Sequence, residues 1–290
     1  MRVLLYIKAS LNKAKAVKTV HISSKDNPKI KEYVRLCTNK KYRQTQRKFV
    51  LEGARVCRDA FVQWQNGELE ISACFATAKA IEKYNEYLDR DWFVDDERFF
   101  TIDENVALKM TDSQFPQGVF LIAEQLDHKM HDDTLKNKGK YLILDDIQDP
   151  GNLGTLLRTA EAVGIDAVFM CNNCCELYNP KVLRSAVGTI FRSKIVILPV
   201  LNDVIEICHN KNIRVFASVI DSDADDIIKT NFDGGCAVVL GNEGNGLSAE
   251  DAQLCDKRIT IKMRGNTNSL NVASAGSIIM WEMCRGDQDE

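Results

Sequence analysis

Long apolar runs are missing from this chain of 290 residues. None approaches the roughly 18 residues that a helix needs to cross a membrane. The short apolar stretch 3–7 is followed by no small-residue cleavage pattern of the kind that ends a secretory signal. Residues 1–20 contain only one arginine, Arg2, and one serine, Ser10, which argues against a mitochondrial presequence. We therefore expect a cytoplasmic protein that does not enter a membrane.

Regular cysteine spacing is also missing. The ten cysteines lie at irregular intervals, and without a secretory signal we interpret them as reduced, mostly buried thiols. Cys171 and Cys174 form a C-x-x-C pair, but no second pair lies at zinc-finger distance and His209 is remote in sequence. A packing role is favoured over metal binding for this pair, and we predict no metal site.

The glycine motifs of common nucleotide-binding folds are absent as well. The loop 145–154 follows an apolar strand, but it has neither the G-x-G-x-x-G spacing of a dinucleotide site nor the Lys-Ser/Thr of a P-loop. The segment 241–246 has the order G-x-x-G-x-G and lies near the other end of the chain. These spacings argue against a nucleotide-dependent oxidoreductase.

Charge is unevenly distributed along the chain. Residues 1–58 hold 16 lysines and arginines against three acidic residues, whereas 59–290 hold 22 against 38. A basic segment on an acidic body indicates a polyanionic partner. A solvated, lysine-rich helix face is the alternative. Arginines and the aromatic residues Tyr33, Tyr42 and Phe49 interleave with the lysines, which favours nucleic acid.

Apolar periodicity predicts an α/β protein with two structural units. In the second unit, we predict strands at 141–145, 167–170, 195–198, 214–219, 237–240 and 259–261, alternating with helices at 153–163, 180–187, 202–210, 224–229, 248–254 and 270–284. This alternation predicts a mostly parallel sheet with helices on both faces. In the smaller first unit, we predict helices at 29–37, 54–64 and 78–88 and strands at 49–51, 71–76, 92–94, 99–102 and 119–123.

The polar segment between the two units is the best candidate for a linker. We therefore divide the chain into a basic tail at 1–20, a first domain at 21–124, a linker at 125–140 and a second domain at 141–290.

Two loops rich in glycine and asparagine, 240–248 and 263–271, each follow a short β-branched apolar run. In open α/β sheets, ligands bind at the carboxyl ends of the strands, so the two loops indicate one shared site. Arg158 lies about one turn into the helix that follows loop 145–154, near enough to face such a site. An ordinary surface arginine is the alternative.

Three segments resemble the sequence motifs of the SpoU/TrmH family of RNA ribose 2′-O-methyltransferases, part of the SPOUT class. They are 149–160, 240–247 and 261–273, and they occur in the family's order within residues 141–285. The stretch 27–53 resembles the RNA substrate-binding domain of L30e-like α/β fold that often precedes this catalytic domain. The resemblance implies a parallel sheet with a C-terminal trefoil knot in which helix 270–284 is threaded. It also implies a homodimer formed through the knotted domain.

The resemblance further implies S-adenosylmethionine as the methyl donor. By position, the cofactor-binding residues are Ser218, Leu240, Gly241, Ile261, Leu270 and Ala273. The family's motif arginine matches Arg158, for which a role as base or hydroxyl activator has been proposed. Because a guanidinium stays protonated, we favour phosphate positioning and polarisation of the ribose hydroxyl. By the same matching, Asn152 and Glu243 are expected to order the loops and the arginine, and Ser269 and Asn271 to complete the catalytic pocket.

We predict an RNA 2′-O-methyltransferase that acts on ribosomal RNA, with transfer RNA as the alternative substrate. The predicted RNA contacts are Lys29, Lys31, Lys40, Lys41, Arg43, Arg47 and Arg55. A non-catalytic RNA-binding or ribosome-assembly protein of the same fold is the second alternative. The presence of Arg158, Glu243 and Asn271 argues against that alternative.

Overall fold

The computed structural model of the protein describes residues 20–113 and 115–285. The predicted basic tail lies outside these residues, apart from Val20. No helix in the described ranges is long and apolar enough to cross a lipid bilayer.

The N-terminal unit is built on a mixed five-stranded sheet. Its strands β1–β5 are Val20–Ile22, Lys48–Glu52, Ile71–Thr77, Phe99–Ile102 and Val119–Glu124. Its helices α1–α6 are Pro28–Thr38, Lys40–Gln46, Ala54–Gln65, Ala78–Lys83, Trp92–Asp95 and Glu104–Met110. The strand order is β1-β4-β3-β5-β2, in which β5 runs antiparallel to both β3 and β2. This confirms the smaller α/β unit.

The strand predicted at 92–94 was wrong, because this segment forms the short helix α5. A single helical turn places Trp92 and Phe93 against Phe99 at ring-centroid distances of 5.6 and 5.3 Å. Trp92 also packs against Phe61. Aromatic residues favour strands only as a weak local preference, and burial against a neighbouring cluster overrides it here.

The C-terminal unit contains a seven-stranded sheet. Strands β6–β12 are Lys140–Asp145, Ala167–Cys171, Ile195–Ile197, Arg214–Ser218, Asp225–Asp226, Cys236–Leu240 and Lys257–Thr260. Helices α7–α11 are Pro150–Val163, Pro180–Ala186, Leu201–Asn210, Ala249–Leu254 and Val272–Cys284. Short 3₁₀ helices lie at Thr189–Phe191 and Ile227–Lys229. All strand pairs in this sheet are parallel, which confirms the prediction of a parallel α/β domain.

The helix predicted at 224–229 was also wrong. This segment consists of β10 followed by a 3₁₀ turn. Ile227 is buried but Ile228 is 60% exposed, so the segment has no apolar stripe with which a full α-helix could pack. The Asp226 side chain accepts a hydrogen bond from the Ile228 amide and caps the short turn instead.

The strand order determines where a site can form. It is β10-β12-β9-β11-β6-β7-β8, so the chain winds from β6 in one direction and then crosses to the other side. Strands β6 and β11 are neighbours at this change of direction, although nearly a hundred residues separate them in sequence. In doubly wound sheets, the crevice at such a switch point is where ligands bind.

Ion pairs connect the two units. Arg192 of the C-terminal unit contacts Asp59 on α3 at 2.6 Å and Glu161 on α7 at 2.5 Å. Arg43 on α2 contacts Glu176 at 2.5 Å. The N-terminal unit therefore packs against one flank of the C-terminal unit through these ion pairs and through a shared hydrophobic core, in which the rings of Phe49 and Tyr178 lie 4.7 Å apart.

Candidate active site

Four loops meet at the carboxyl edge of the C-terminal sheet. They follow β6, β11, β9 and β12, and these four strands lie side by side in the sheet in that order. Because parallel strands all end on the same edge, segments far apart in sequence come together here. Three of these loops are the segments 145–154, 240–248 and 263–271 that the sequence indicated.

A cleft of about 890 Å³ opens at this edge. Small-molecule ligand sites typically measure about 300–1,000 Å³. Seven of the predicted site residues line it: Ser218, Leu240, Gly241, Glu243, Ile261, Ser269 and Leu270. Its walls therefore combine apolar side chains with backbone groups at strand ends.

Ala273 does not belong to this cleft. It is 6% exposed and packs in the hydrophobic core at the start of α11. Its neighbours Val272 and Ala275 line the cleft instead. The helix places Ala273 on its inward face, and counting motif positions alone could not predict which residues of a first helical turn point inward.

Gly241 allows the loop after β11 to fold back tightly on itself. A β-carbon at this position would lie 2.4 Å from the backbone carbon of Gly246 and 2.5 Å from the Leu247 nitrogen. The loop closes through a bridge between Asn242 and Gly246, with the Gly246 amide donating to the Asn242 carbonyl oxygen at 2.9 Å. Only a glycine permits this close approach of backbone to backbone.

Glu243 joins the loop after β11 to the loop after β6. Its carboxylate accepts hydrogen bonds from the backbone amides of Gln148 at 3.0 Å and Asp149 at 2.9 Å. It also accepts one from the side-chain amide of Asn152 at 3.1 Å. Burial by itself would raise the pKa of Glu243, but these hydrogen bonds outweigh it and lower the pKa below its usual value. Glu243 is therefore anionic at neutral pH.

Asn152 extends this network to the third loop. Its side-chain oxygen accepts a hydrogen bond from the side-chain amide of Asn271 at 2.9 Å. The Asn271 oxygen in turn caps α11 by accepting from the amides of Ala273 and Ser274. Glu243, Asn152 and Asn271 thus form a continuous hydrogen-bonded chain across all three loops.

Asp146, Asn242 and Asp149 reinforce the same region and were not predicted from the sequence. The Asn242 side chain donates to the Asp146 carbonyl oxygen at 3.0 Å, and Asp146 adopts a left-handed backbone conformation with φ of 56°. Asp149 caps α7 by accepting from the Gly151 and Asn152 amides. The pattern Asp149-Pro150 before an apolar run is a helix-start signal that could have identified the Asp149 cap.

Arg158 lies on the exposed side of α7. Within the described part of the chain, its guanidinium forms no hydrogen bond or ion pair, although its charge helps to lower the pKa of Glu161 on the same helix. It does not line the cleft, but the adjacent Thr159 contacts Ser277 of α11 at 3.2 Å between hydroxyl oxygens. Helix α11 also packs closely on α7, because a β-carbon at Gly276 would lie 2.4 Å from a Leu156 methyl. These contacts fix the helix that carries Arg158 against α11.

The C-x-x-C pair has a packing role in the structure. The Cys174 sulfur accepts a hydrogen bond from the Ile147 amide at 3.3 Å and donates to the Leu144 carbonyl oxygen. Burial raises the pKa of Cys174 to about 11, so it remains a neutral thiol. Cys174 therefore stabilises the loop after β6 through these two hydrogen bonds.

Most of the predicted RNA-contacting side chains are exposed on the N-terminal unit: Lys29, Lys31, Lys40, Lys41, Arg47 and Arg55. Tyr42 is partly buried, with the Arg35 guanidinium 4.0 Å from its ring centroid. Tyr33 and Phe49, however, are buried core residues. Helical and strand periodicity turned these two aromatic side chains inward, so neither can stack on a base.

Arg43 was wrongly assigned to this surface. It is 3% exposed, and its guanidinium forms two hydrogen bonds with the Glu176 carboxylate at 3.0 and 2.5 Å. It also donates to the carbonyl oxygens of Leu36 and Cys37. All of these contacts are internal, and Arg43 therefore joins the two units and does not contact RNA.

Two family comparisons cover most of the chain. Residues 139–281 match the SpoU rRNA Methylase family. Residues 27–121 match the MRM3-like substrate binding domain.

Relatives of similar length are similar along most of the chain. One is an uncharacterized tRNA/rRNA methyltransferase of Synechocystis, 30% identical over 264 residues that cover 91% of this chain and 93% of the relative. Another is the 23S rRNA (guanosine(2553)-2′-O)-methyltransferase of Bacillus subtilis, 27% identical over 264 residues that cover 90% and 98% of the two chains.

Solved structures are similar in fold. An rRNA methyltransferase from Sinorhizobium meliloti superposes with a TM-score of 0.79 at 25% identity, covering 93% of this chain and 99% of that one. A second structure of an rRNA methyltransferase from that organism, bound to AdoMet, has a TM-score of 0.76 at 25% identity and covers 92% and 97% of the two chains.

Proposed function

Because the chain belongs to the SpoU rRNA methylase family, we propose that it transfers a methyl group from S-adenosylmethionine to a ribose 2′-hydroxyl of ribosomal RNA. The observation that carries this proposal is the hydrogen-bonded chain of Glu243, Asn152 and Asn271 beside a ligand-sized cleft. Three separate loops converge there, and their ordering fixes the shape of the cleft before any ligand arrives.

The residues of the cleft fit S-adenosylmethionine. Its volume suits a nucleoside-sized molecule, Leu240 and Ile261 provide apolar surface, and Gly241 brings backbone groups close to the cavity. Ser218, Ser269 and Leu270 complete the set of residues that would hold the cofactor. When bound, S-adenosylmethionine supplies an electrophilic methyl group on a sulfonium centre.

Arg158 acts on the RNA in this proposal. The guanidinium group is a cation with several fixed donors, so it binds a phosphate next to the target ribose and polarises the 2′-hydroxyl by hydrogen bonding. Asn152 and Glu243 hold the loop from which α7 starts, and Asn271 fixes the start of α11. These three residues position Arg158 and the cleft relative to each other.

The N-terminal unit binds the RNA. The exposed Lys29, Lys31, Lys40, Lys41, Arg47 and Arg55 neutralise phosphates, which gives affinity without sequence selectivity. This arrangement corresponds to a division into a basic tail at 1–20, an RNA-binding domain at 21–124, a linker at 125–140 and a catalytic domain at 141–290.

The functional unit in this proposal is a cytoplasmic homodimer formed through the C-terminal domain, whose last segment is threaded as a trefoil knot. The exposed apolar side chains Ile278 and Trp281 on α11 support an interface there, with 43% and 54% of their surface open to solvent. A dimer through α11 would also bring a second chain close to Arg158.

Two linked measurements test the activity. Calorimetric titration with S-adenosylmethionine should give binding to the full chain. Transfer of tritium from labelled cofactor to total RNA should then label the ribosomal RNA fraction, and alkaline hydrolysis should leave the label in an alkali-resistant dinucleotide, since a methylated 2′-oxygen cannot attack the adjacent phosphate. Label in the transfer RNA fraction would instead identify transfer RNA as the substrate. Absence of cofactor binding would favour a non-catalytic RNA-binding protein.

A further inference from the structure

A second cavity lies where the N-terminal unit meets α8. Its volume is about 320 Å³, near the lower limit of typical ligand sites. It is lined by residues of α1, by the turn from β2 into α3, by the end of α6 and by one side of α8. It shares no lining residue with the cleft at the sheet edge. Any molecule bound there would be separate from the methyl donor.

Two carboxylates line this cavity, the exposed Asp112 and the largely buried Glu52 in its wall. The Glu52 side chain is 14% exposed, and its Oε1 accepts a hydrogen bond from the Thr111 hydroxyl. Its Oε2 lies 3.5 Å from the Arg184 guanidinium. A carboxylate offers about four acceptor positions, so about two remain for a ligand. The ligand group that binds here must therefore donate hydrogen bonds.

Most of the other residues that line the cavity are of two kinds, apolar and positively charged. Val34, Leu51, Val56, Met110, Leu183 and Val187 supply apolar surface suited to a flat ring. Arg55, Lys109 and Arg184 line the same cavity with exposed, positively charged side chains. The rim also carries the exposed Asp112, but its three basic side chains outnumber this carboxylate. Apolar walls, the buried Glu52 carboxylate and a rim of net positive charge together match a base joined to a phosphate-bearing backbone.

The loop after α6 adds a stacking surface. Thr111, Asp112 and Gln117 of this loop line the cavity, and Phe115 between them is 87% exposed. Phe115 does not line the cavity itself, but an exposed aromatic ring on the same loop is the kind of surface on which unpaired bases stack. Gln117 also fixes the loop by accepting a hydrogen bond from the Ala54 amide at 2.8 Å.

We propose that this cavity binds an unpaired guanine nucleotide of the RNA substrate, distinct from the nucleotide that is methylated. The inference rests on the proposed function for the presence of RNA. Guanine presents two adjacent donors, N1–H and the N2 amino group, which match a carboxylate in a paired arrangement. Adenine and cytosine offer one amino group beside an acceptor, and the single donor of uracil lies between two carbonyl oxygens. Recognition of splayed-out bases through their edges is the usual way to read single-stranded RNA.

The position of the cavity explains how such a contact would help the reaction. It lies between the domain with the basic surface and α8, which packs on α7, the helix that carries Arg158. A base held there would fix the register of the strand as it passes from one unit to the other. Sequence selectivity would then come from this contact, since the phosphate contacts carry none.

The test uses the full chain and short unstructured RNAs that differ at one position. Fluorescence anisotropy compares an oligouridine with one central guanosine against the same oligomer with inosine, which lacks the N2 amino group. Loss of one hydrogen bond to a charged group predicts about tenfold weaker binding of the inosine oligomer. Glu52→Gln should abolish this difference, whereas Glu82→Gln, an exposed control on the same unit, should retain it.

A second variant covers the case in which Glu52→Gln does not fold. Arg55 and Lys109 are exposed, and replacing both by alanine should weaken binding of the guanosine oligomer while Lys79→Ala leaves it unchanged. Equal binding of the guanosine and inosine oligomers by the wild-type protein overturns the proposal, as does an unchanged preference in a folded Glu52→Gln. Tritium transfer to ribosomal RNA is measured on the same preparations. If methyl transfer occurs but the protein does not prefer the guanosine oligomer, only the proposal for this cavity is rejected. If the protein prefers the guanosine oligomer but transfers no methyl group, only the proposed activity is rejected.

Discussion

The side-chain amide of Asn271 donates a hydrogen bond at 2.9 Å to the side-chain oxygen of Asn152, 119 positions away in the sequence. Asn271 caps the last helix, and Asn152 lies in the first turn of the helix that carries Arg158. This one contact therefore fixes two helix starts relative to each other. Through Asn152, it also reaches the Glu243 carboxylate, so that side-chain hydrogen bonds link all three loops of the site.

Replacing Asn152 tests this network. Asn152→Asp would place a second carboxylate where the amide now donates to Glu243 at 3.1 Å. Repulsion between the two charges, added to the lost hydrogen bond, should lower the free energy of unfolding by about 1 kcal/mol or more and weaken cofactor binding. Asn152→Ala removes the hydrogen bond without adding a charge and should have the smaller effect. Urea denaturation and calorimetric titration compare the two variants. Equal effects of Asn152→Asp and Asn152→Ala would contradict a contribution from charge repulsion.

Arg158→Ala should reduce methyl transfer by about 100-fold or more, the scale seen when a donor to a developing oxyanion is removed. S-adenosylmethionine affinity should stay within a few-fold, because Arg158 does not line the cleft. Single-turnover transfer and calorimetry measure the two quantities separately. Thr155→Ala on the same exposed side of α7 is the control. Normal turnover of the Arg158 variant would remove this residue from the mechanism.

Gly241→Ala should abolish cofactor binding. The added methyl carbon would lie 2.4 to 2.5 Å from backbone atoms of Gly246 and Leu247, so the whole loop after β11 must shift. Gly265→Ala is a matched control in the loop after β12, since no atom lies within 4 Å of its β-carbon position. Calorimetric titration of both variants should separate them clearly. Equal affinities would indicate that the tight turn of the loop is dispensable.

Arg43→Ala should destabilise the fold by about 3–5 kcal/mol, because it leaves the Glu176 carboxylate buried without its partner. Combined replacement of the exposed Lys40, Lys41 and Arg47 by alanine should instead leave stability almost unchanged. That triple variant should reduce the slope of log RNA affinity against log salt by about three. Denaturation and salt-dependent binding distinguish these roles. A stable Arg43→Ala protein with a reduced slope would return Arg43 to the RNA surface.

Stability should fall as the pH drops below about 6.5, the pKa of an unfolded histidine. Burial lowers the pKa of His128 in the folded protein, despite its contact with the Ile195 carbonyl oxygen. The unfolded chain therefore takes up the proton before the folded chain does, which favours unfolding at low pH. The Tyr178 hydroxyl lies 2.7 Å from His128 Nε2. This nitrogen can accept a hydrogen bond from the hydroxyl only when the imidazole ring is neutral. Thermal melting from pH 8 to 5 should show a weaker pH dependence for His128→Gln.

The parallel C-terminal sheet could be predicted from the sequence to within a residue or two at most strand ends. The predicted strand 237–240 is Cys236–Leu240 in the structure, and 141–145 is Lys140–Asp145. Buried parallel strands appear as continuous apolar runs bounded by glycine or polar residues, so this signal is local. Local patterns failed at 92–94, which was predicted as a strand, because packing of Trp92 and Phe93 against Phe99 decided the conformation. They also failed at 224–229, which was predicted as a helix, because Asp226 caps a short turn there.

The candidate site was predictable in part. Glycine and asparagine patterns after strands identified the loops that contain Gly241, Glu243 and Asn271. Asn242 and Asp146 were missed, since an asparagine that bonds a backbone carbonyl of another loop has no local signature. Glu52 was missed for the same reason, because its cavity exists only where two units meet.

By itself, the sequence determined which segments become strands, where glycine-rich loops follow them, and that the first segment carries an excess of positive charge. Each of these depends on neighbours in the chain, through periodicity, turn chemistry and composition. Only the tertiary structure decided that Arg43 is buried against Glu176, that Ala273 points into the core, and that Asn152 meets Asn271. Those outcomes depend on contacts between segments that are far apart in the chain: between the two units for Arg43, and between the loops at the sheet edge for Asn152 and Asn271. Local patterns carry no information about such contacts, so only the tertiary structure sets burial and hydrogen-bond partners there.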